Sequence, residues 1–305
     1  MRSPLRIGTR RSRLALAQAE HVGRLLRTQG VESELVPMST TGDEGADPTD
    51  ATVMAPQGLK GLWIDTIQEA LRTGEIDLAV HSAKDLPAED EPDLPIGAVP
   101  TREDPHDVLV MRTEGELAAG MVVGTASLRR RALIQAAFPG VGVTDLRGNV
   151  ETRLRKLASG DVDAAILAAA GLHRLGLTPE HARTMGVDEM LPAPGQGALA
   201  VQCRAGDREL VAVLSLLEHR PSRMALDAER ALMRRLGGGC ALPLGAIAAI
   251  KSEVIRLAAC VASPDGAKVV RGAAQAAAPD RAADLVAEQL LEAGADRILA
   301  EVRRA

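Results

Sequence analysis

Two segments of the chain align without gaps and decide the organisation of the fold: Gly74-Glu-Ile-Asp-Leu-Ala-Val-His-Ser-Ala-Lys-Asp-Leu86 and Gly160-Asp-Val-Asp-Ala-Ala-Ile-Leu-Ala-Ala-Ala-Gly-Leu172. Each reads as a buried strand that begins after a glycine. Identical residues stand at Gly74/Gly160, Asp77/Asp163, Ala79/Ala165, Ala83/Ala169 and Leu86/Leu172. We therefore predict two related lobes, with chance similarity between two strand entries as the alternative.

A second repeated feature supports the two lobes. Gly8-Thr9 and Gly124-Thr125 each precede serine and arginine residues and then a helical pattern. If the paired segments did not occupy equivalent positions in the structure, the duplication would be wrong.

Strand and helix patterns alternate along the first two hundred residues, and this alternation predicts an α/β fold with parallel sheets. Ser12 is a plausible N-cap for the first helix. A Gly/Pro/Thr-rich segment, residues 40–58, predicts a long loop before a helix that contains Trp63 and ends at Gly74. Strands are predicted over 5–8, 31–38, 76–80, 108–111, 121–123, 142–146 and 162–167, and further helices over 128–137 and 150–157.

Composition limits the classes of function. A chain of 305 residues predicts two or three domains, and 46% hydrophobic with 25% charged residues is typical of a globular protein. Aromatic residues make up 1% and the net charge is −5. Base-stacking platforms and basic surfaces are therefore missing, which argues against nucleic acid as a partner.

The apolar stretches, the N-terminal residues and the cysteine pattern predict a cytoplasmic protein without a metal site. The apolar stretches 164–172 and 241–250 are shorter than a membrane span, and no apolar signal region follows the N-terminal basic residues. Cys203, Cys240 and Cys260 are odd in number and widely spaced. Neither a disulfide framework nor a zinc site is expected from this pattern.

Polar chemistry collects after the predicted strand ends, where ligands bind in open α/β sheets. The first lobe reads His81-Ser-Ala-Lys-Asp85, whereas the aligned stretch of the second lobe reads Leu167-Ala-Ala-Ala-Gly171. The fold element is thus shared, but its polar residues belong to one copy. We predict that the first lobe carries the reacting groups.

Basic side chains also follow the strand ends, and arginine suits carboxylates and phosphates. Any single arginine is more often a solvated surface residue, but their common position predicts a ligand with several negative charges. Asp85 stands apart as a carboxylate among them. It forms either a structural salt bridge or a fixed charge that stabilises positive charge on a substrate. The basic residues in question are Arg10, Arg129, Arg130, Arg147 and Arg153.

Gly237-Gly-Gly-Cys240 matches no nucleotide-binding fingerprint, because it lacks the required order and follows a helical pattern. It describes instead a tight loop that presents one thiol to a large group.

With these pieces in place, the chain resembles the porphobilinogen deaminase family over nearly its whole length. The resemblance rests on motifs in family order: Ile-Gly-Thr-Arg-Arg-Ser-Arg-Leu-Ala (7–15), Lys-Gly-Leu-Trp (60–63), Ala-Val-His-Ser-Ala-Lys-Asp-Leu-Pro (79–87), Arg-Glu-Asp-Pro (102–105), Gly-Thr-Ala-Ser-Leu-Arg-Arg (124–130), Leu-Arg-Gly-Asn-Val (146–150), Leu-Pro-Ala-Pro-Gly-Gln-Gly-Ala (191–198), Glu-Arg-Ala (229–231) and Gly-Gly-Gly-Cys (237–240).

The resemblance implies a transferase that joins four porphobilinogen molecules head to tail, with loss of ammonia, to give hydroxymethylbilane for haem and other tetrapyrroles. It also implies a covalent dipyrromethane cofactor, held by a thioether to Cys240. The partner is then a small molecule, and no long heptad or apolar stripe demands a second chain, so we expect a monomer.

The resemblance assigns roles residue by residue. Asp85 is the implied catalytic carboxylate and also a cofactor contact, stabilising the azafulvenium cation that forms when ammonia leaves. Thr125 and Gln196 are expected to line the site, Lys60 to contact substrate, and Trp63 either to stack on the cofactor or to pack in its helix. The implied carboxylate-binding residues are Arg10, Ser12, Lys84, Ser127, Arg129, Arg130, Arg147 and Arg153.

The family architecture implies three α/β domains, of which the first two resemble type II periplasmic-binding-protein lobes. Here they would cover 1–100 with 195–216, 101–194, and 217–305. The segment before Trp63 departs from the family pattern, which leaves the contacts of residues 40–60 open. A two-lobed solute-binding module and a degenerate, inactive homologue remain as alternatives.

Overall fold

The structure is a computed structural model that describes residues 4–38, 58–238 and 242–304. In chain order the strands are β1 (Leu5–Arg10), β2 (Ser33–Met38), β3 (Leu78–Ser82), β4 (Ile96–Ala98), β5 (Asp107–Met111), β6 (Val122–Gly124), β7 (Gly142–Thr144), β8 (Ala164–Ala168), β9 (Ala182–Thr184), β10 (Leu199–Cys203), β11 (Leu244–Lys251), β12 (Val254–Ala262) and β13 (Val269–Ala276). The helices are α1 (Arg13–Thr28), α2 (Gly58–Arg72), α3 (Leu128–Ala137), α4 (Val150–Ala158), α5 (Ala169–Leu175), α6 (Arg208–Ser215), α7 (Arg220–Arg235), α8 (Pro279–Glu292) and α9 (Ala295–Arg304), with a 3-10 helix at Ala83–Asp85.

The chain divides into two compact units. The first contains Met1–Arg102 and Ala198–Arg223, and the second contains Glu103–Gly197 and Met224–Ala305. The chain therefore leaves the first unit, builds a sheet in the second, and returns to complete the first.

Each unit holds one five-stranded sheet, in the order β2-β1-β3-β10-β4 and β7-β6-β8-β5-β9. The α/β prediction is confirmed, but the prediction of parallel sheets is wrong for part of each. In the first sheet β10 runs antiparallel to β3 and β4, and in the second β5 runs antiparallel to β8 and β9. Because β10 follows β4 only after the chain has passed through residues 103–197, local strand–helix alternation does not set its direction.

The predicted duplication is confirmed in strand order and register. Gly8 pairs with Ala79 in the first sheet, and Gly124 pairs with Ala165, the aligned residue, in the second. The aligned aspartates also repeat one contact. The carboxylate of Asp77 accepts a hydrogen bond from the Arg6 backbone at 2.9 Å, and that of Asp163 accepts one from the Val122 backbone at 2.9 Å.

The helices follow from caps and apolar stripes. The Ser12 side chain accepts a hydrogen bond from the Ala15 backbone, and Ala19, Val22 and Leu26 of α1 are fully buried in the first core. Gly30, with φ of 73°, lies just past the helix. The predicted helix 128–137 is confirmed at both ends by α3, and the segment 40–57 lies outside the described residues.

The C-terminal strands β11, β12 and β13 form a separate antiparallel sheet, against which α8 and α9 pack. Cys260 and Ala262 of this sheet share a hydrophobic cluster with Leu109, Val123 and Ile166 of the second five-stranded sheet. Small and branched apolar side chains thus build a close-packed core in a chain almost without aromatic residues. The described helices include none that is long and apolar enough to cross a membrane.

Asp77 is the buried partner of Arg6, which donates to its two oxygens at 3.0 and 2.8 Å. Burial raises the pKa of this carboxyl, but the hydrogen bonds and charge of Arg6 and the charge of Arg204 outweigh it, so the pKa lies below its usual value. The fold therefore favours the ionised form. Its contribution to stability is full above the unfolded pKa, near 3.8, and is lost as pH falls through the lower folded pKa.

We expect Asp77→Asn to lower the free energy of unfolding by about 2 kcal/mol at pH 7. Urea unfolding measures the difference from wild type, which should narrow below about pH 4. Asp93→Asn is the control, since it removes an exposed partner of Arg72 and should cost less than about 1 kcal/mol. An equal loss in both variants would contradict the account of Asp77.

Glu229 of α7 joins three parts of the second unit. Its carboxylate is fully buried and accepts hydrogen bonds from the backbones of Gly195 at 2.6 Å and Ala248 at 2.7 Å. Replacement by alanine would leave two buried N–H groups without this acceptor. We expect Glu229→Ala to destabilise the protein by about 2 to 5 kcal/mol, measured by urea unfolding, and Glu229→Gln to lose less because one acceptor oxygen remains. Equal stability of Glu229→Ala and wild type would contradict this role.

Candidate functional site

A cleft opens in the first unit at the carboxyl ends of β1 and β3, beside the N-terminus of α1. It holds about 550 Å³ of empty space, including the part open to solvent. Ile64 and Ile67 of α2 form part of an apolar wall. The polar lining consists of Arg10, Ser12, Gln18, His81, Ser82 and Asp85. Three residues predicted from the sequence, Arg10, Ser12 and Asp85, are thus brought together here.

Asp85 is held by the backbone around it. It ends the 3-10 helix, whose first residue, Ala83, donates a backbone hydrogen bond to the carbonyl of Ala198 at 3.0 Å. The Leu86 backbone then donates to the Ala83 carbonyl at 3.3 Å, and Pro87 follows. The half-buried side chains of Lys84 and Asp85 are therefore presented on a turn that is tied to Ala198, the residue before β10.

The hydroxyl groups of the cleft are also fixed. The Gln18 side chain, 4% exposed, donates to the Ser82 hydroxyl at 2.8 Å. The Ser12 hydroxyl caps α1 by accepting from the Ala15 backbone at 3.3 Å. An anion near this cap would meet the positive end of the helix dipole as well as the Arg10 guanidinium.

His81 is a neutral member of the cleft. Burial lowers the pKa of its imidazole to about 4, although the charge of Asp85 and a hydrogen bond with Gln202 act in the opposite direction. Its Nε2 atom is buried without a hydrogen-bond partner. At neutral pH the imidazole therefore adds no positive charge to the cleft. Gln202 is the last but one residue of β10 and pairs in register with Ala79. It was not predicted from the sequence.

In the second unit, α3 has an equivalent N-terminal cap, formed by Ser127. The Ser127 hydroxyl accepts from the Arg130 backbone at 3.4 Å, and the Thr125 hydroxyl accepts from the Ser127 backbone at 3.1 Å. Thr125 is 1% exposed, so its hydroxyl shapes the loop from inside.

Arg129 and Arg130 lie almost wholly inside the second unit. Each donates to one oxygen of Asp107 at 2.7 Å, and the Gln196 side chain donates to Asp107 Oδ1 at 2.8 Å. The pKa of Asp107 lies far below its usual value: burial alone would raise it, but the two guanidinium charges and their hydrogen bonds reverse that effect. Sequence reasoning missed Asp107. The available signal was a charged residue at the head of an otherwise apolar strand.

Arg147 and Arg153 lie near the turn before α4. The Arg147 side chain is 73% exposed and lies 3.3 Å from an oxygen of Asp145. Arg153 donates through Nε to the carbonyl of Gly148 at 2.8 Å. Arg147 therefore extends into solvent, while Arg153 is half-buried against its own loop.

Three predicted residues cannot be placed as side chains. Lys60 and Trp63 belong to α2, but only their position in the helix is described, and Cys240 lies outside the described residues. The other two cysteines, Cys203 and Cys260, are buried free thiols. Burial raises the pKa of Cys203 to about 11 and also raises that of Cys260, so neither thiol ionises readily at neutral pH.

Comparison with known families matches two parts of the chain. Residues 5–212 match the profile described as "Porphobilinogen deaminase, dipyromethane cofactor binding domain", and residues 224–292 match "Porphobilinogen deaminase, C-terminal domain". Among solved structures, a periplasmic substrate-binding protein of an ABC transporter from Coxiella burnetii is similar at a TM-score of 0.43 and 17% identity, over 70% of this chain and 91% of that one.

Curated relatives extend over almost the full length. Porphobilinogen deaminase from Desulforudis audaxviator is 46% identical over 313 residues, covering 99% of each chain. The enzyme of that name from Syntrophotalea carbinolica is 45% identical over 305 residues, covering 98% of this chain and 96% of the relative. With both family domains matched and identity sustained from end to end, the chain belongs to the porphobilinogen deaminase family.

Proposed function

We propose that this chain is a hydroxymethylbilane synthase, a transferase that joins four porphobilinogen molecules head to tail with release of ammonia, for tetrapyrrole biosynthesis. The observation that carries the proposal is the carboxylate of Asp85 in a cleft that also holds Arg10 and the capped end of α1, in a chain of this family. Arg10 and the helix N-terminus suit a substrate that bears carboxylates. The Asp85 carboxylate suits a substrate that becomes positively charged during the reaction.

The described residues fit the dipyrromethane cofactor of the family, whose pyrroles bear acetate and propionate groups. Within the first unit, the Arg10 guanidinium and the N-terminus of α1 suit one such carboxylate group. Within the second unit, Arg129 and Arg130 hold two buried guanidiniums against the single carboxylate of Asp107. We propose a thioether to Cys240. When bound, the dipyrromethane supplies the primer carbon to which the first substrate is joined.

Asp85 is proposed as the catalytic residue. Each coupling breaks the carbon–nitrogen bond of a protonated aminomethyl group, releases ammonia, forms one carbon–carbon bond and frees the proton that the acceptor pyrrole carbon carried. The substrate pyrrole is cationic between loss of ammonia and bond formation. A carboxylate already fixed by its turn stabilises that charge, accepts a hydrogen bond from the pyrrole N–H and can take up the proton.

The remaining assignments divide by unit. Arg10, Ser12 and Lys84 are proposed to bind carboxylates in the first unit, together with Lys60, and Trp63 to stack on a pyrrole. In the second unit we propose carboxylate binding for Ser127, Arg129, Arg130, Arg147 and Arg153, and a lining role for Thr125 and Gln196. The high exposure of Arg147 supports contact with a ligand more directly than the buried position of Gln196 does.

The proposal also covers organisation and location. We propose domains over 1–100 with 195–216, 101–194, and 217–305; the separate C-terminal sheet and the family match at 224–292 support the third. We propose a monomer in the cytoplasm. In the described part of the chain the exposed large apolar residues are scattered, and the two cysteines there are free thiols.

Ammonia release tests the activity. Purified protein incubated with porphobilinogen should release one ammonia for each porphobilinogen consumed. A solute-binding module or a degenerate homologue would bind porphobilinogen and release none, and that result would contradict the proposal.

A further inference from the structure

The carboxylate of Asp107 is shared between two arginines. Arg129 Nη1 donates to Oδ2 and Arg130 Nη2 donates to Oδ1, each at 2.7 Å, and all three side chains are less than one-tenth exposed. Arg129 Nη1 also donates to the Leu191 carbonyl at 2.5 Å, and Arg130 Nη1 to the Ile166 carbonyl at 2.8 Å. Both guanidiniums are thus fixed in position and in rotation.

The cluster has more positive than negative charge. Two guanidiniums face one carboxylate, and the Nε atoms of Arg129 and Arg130 are buried without hydrogen-bond partners. A buried surplus charge with unused donors is costly unless an anion completes it. The cluster lies at the edge of the sheet where β6 and β8 end, because Asp107 pairs with Ala168, the last residue of β8.

The fold itself does not require these charges. In the first sheet, Ser82 is the aligned equivalent of Ala168, the residue that pairs with Asp107 in the second sheet. Ser82 pairs with Leu199, so leucine stands where the second sheet has Asp107. Counted from the N-cap serines Ser12 and Ser127, the places of Arg129 and Arg130 are taken in α1 by Leu14 and Ala15. One copy of the duplicated fold is therefore built with apolar residues at all three positions. Apolar residues commonly replace buried ion pairs without loss of stability.

We infer that Asp107 is a positioning residue, which holds Arg129 and Arg130 side by side and limits their surplus to a single positive charge, matched to one carboxylate of a pyrrole. Asp107 acts through the arginines and does not itself meet the substrate. This inference rests on the proposed function.

The test follows primer formation by intact mass. Apo-protein is incubated with increasing porphobilinogen, and the half-saturating concentration for gain of two pyrrole units is measured. We expect Asp107→Asn to raise this concentration about tenfold, since the guanidiniums lose the charged acceptor that orients them. Leu109→Ala is the matched control for a loss of stability. It removes a buried side chain from the same strand as Asp107 and should lower the free energy of unfolding by roughly 2 to 5 kcal/mol. Its half-saturating concentration should stay within about twofold of wild type.

Both variants are compared below their melting temperatures, read by far-ultraviolet circular dichroism. Gln196→Leu is a second variant in case Asp107→Asn does not fold, because it keeps all three charges and removes one donor that holds Asp107 Oδ1. It should raise the half-saturating concentration about threefold. Equal shifts in Asp107→Asn and Leu109→Ala, or a wild-type value for the folded Asp107 or Gln196 variant, would overturn the positioning role. A wild type that gains no mass and releases no ammonia would overturn the proposed function, and the inference with it.

Discussion

Asp85→Ala is expected to abolish ammonia release from porphobilinogen, with a loss of about a thousandfold or more in turnover. The reason is the cationic substrate: alanine removes the fixed carboxylate from the cleft and leaves only cations and neutral groups there. His81 cannot substitute, because burial lowers the pKa of its imidazole to about 4. A continuous assay of ammonia release measures the effect.

The fold should survive this change. Asp85 is half-buried, and its turn is tied down by the backbones of Ala83, Leu86 and Ala198. Thermal unfolding of Asp85→Ala is therefore expected within a few degrees of wild type. Glu89→Ala is the control: an exposed carboxylate four residues further along is removed, and turnover should not change. Near-normal turnover in Asp85→Ala would remove Asp85 from the mechanism.

Cys240→Ser is expected to yield a protein without covalent cofactor and without turnover. A thioether needs a sulfur atom, and the Gly-Gly-Gly-Cys sequence predicts a glycine-rich loop that presents this one. Intact mass under denaturing conditions measures the outcome directly. Wild type should exceed its sequence mass by two pyrrole units, and Cys240→Ser should match its sequence mass.

Cys203→Ala and Cys260→Ala are the matched controls for the attachment site. Both thiols are buried, and burial raises the pKa of each, so the nucleophilic thiolate is scarce at neutral pH. Both variants should keep the added mass. Loss of the added mass in either one, or its retention in Cys240→Ser, would place the attachment elsewhere.

Local sequence signals located α1 to α4 and most strands of the first two hundred residues, because caps and periodicity act over a few residues. Ser12 and Ser127 cap the helices that follow them, and α3 has its predicted ends. Strand limits were less accurate: the predicted strand 76–80 is observed as Leu78–Ser82. Pairing with neighbouring strands decides where a strand ends, and a single segment does not contain that information.

The sequence by itself determined the two related sheets, the polar strand end at His81 to Asp85, and the family. These depend on residue order and on short-range patterns. Only the tertiary structure decided that β10 and β5 run antiparallel and that Asp107 joins Arg129 and Arg130. Each of these joins residues far apart in the chain or sets the direction of a strand that returns from another unit. The packing of the whole chain settles such contacts, because burial makes an unpaired charge costly and forces distant partners together.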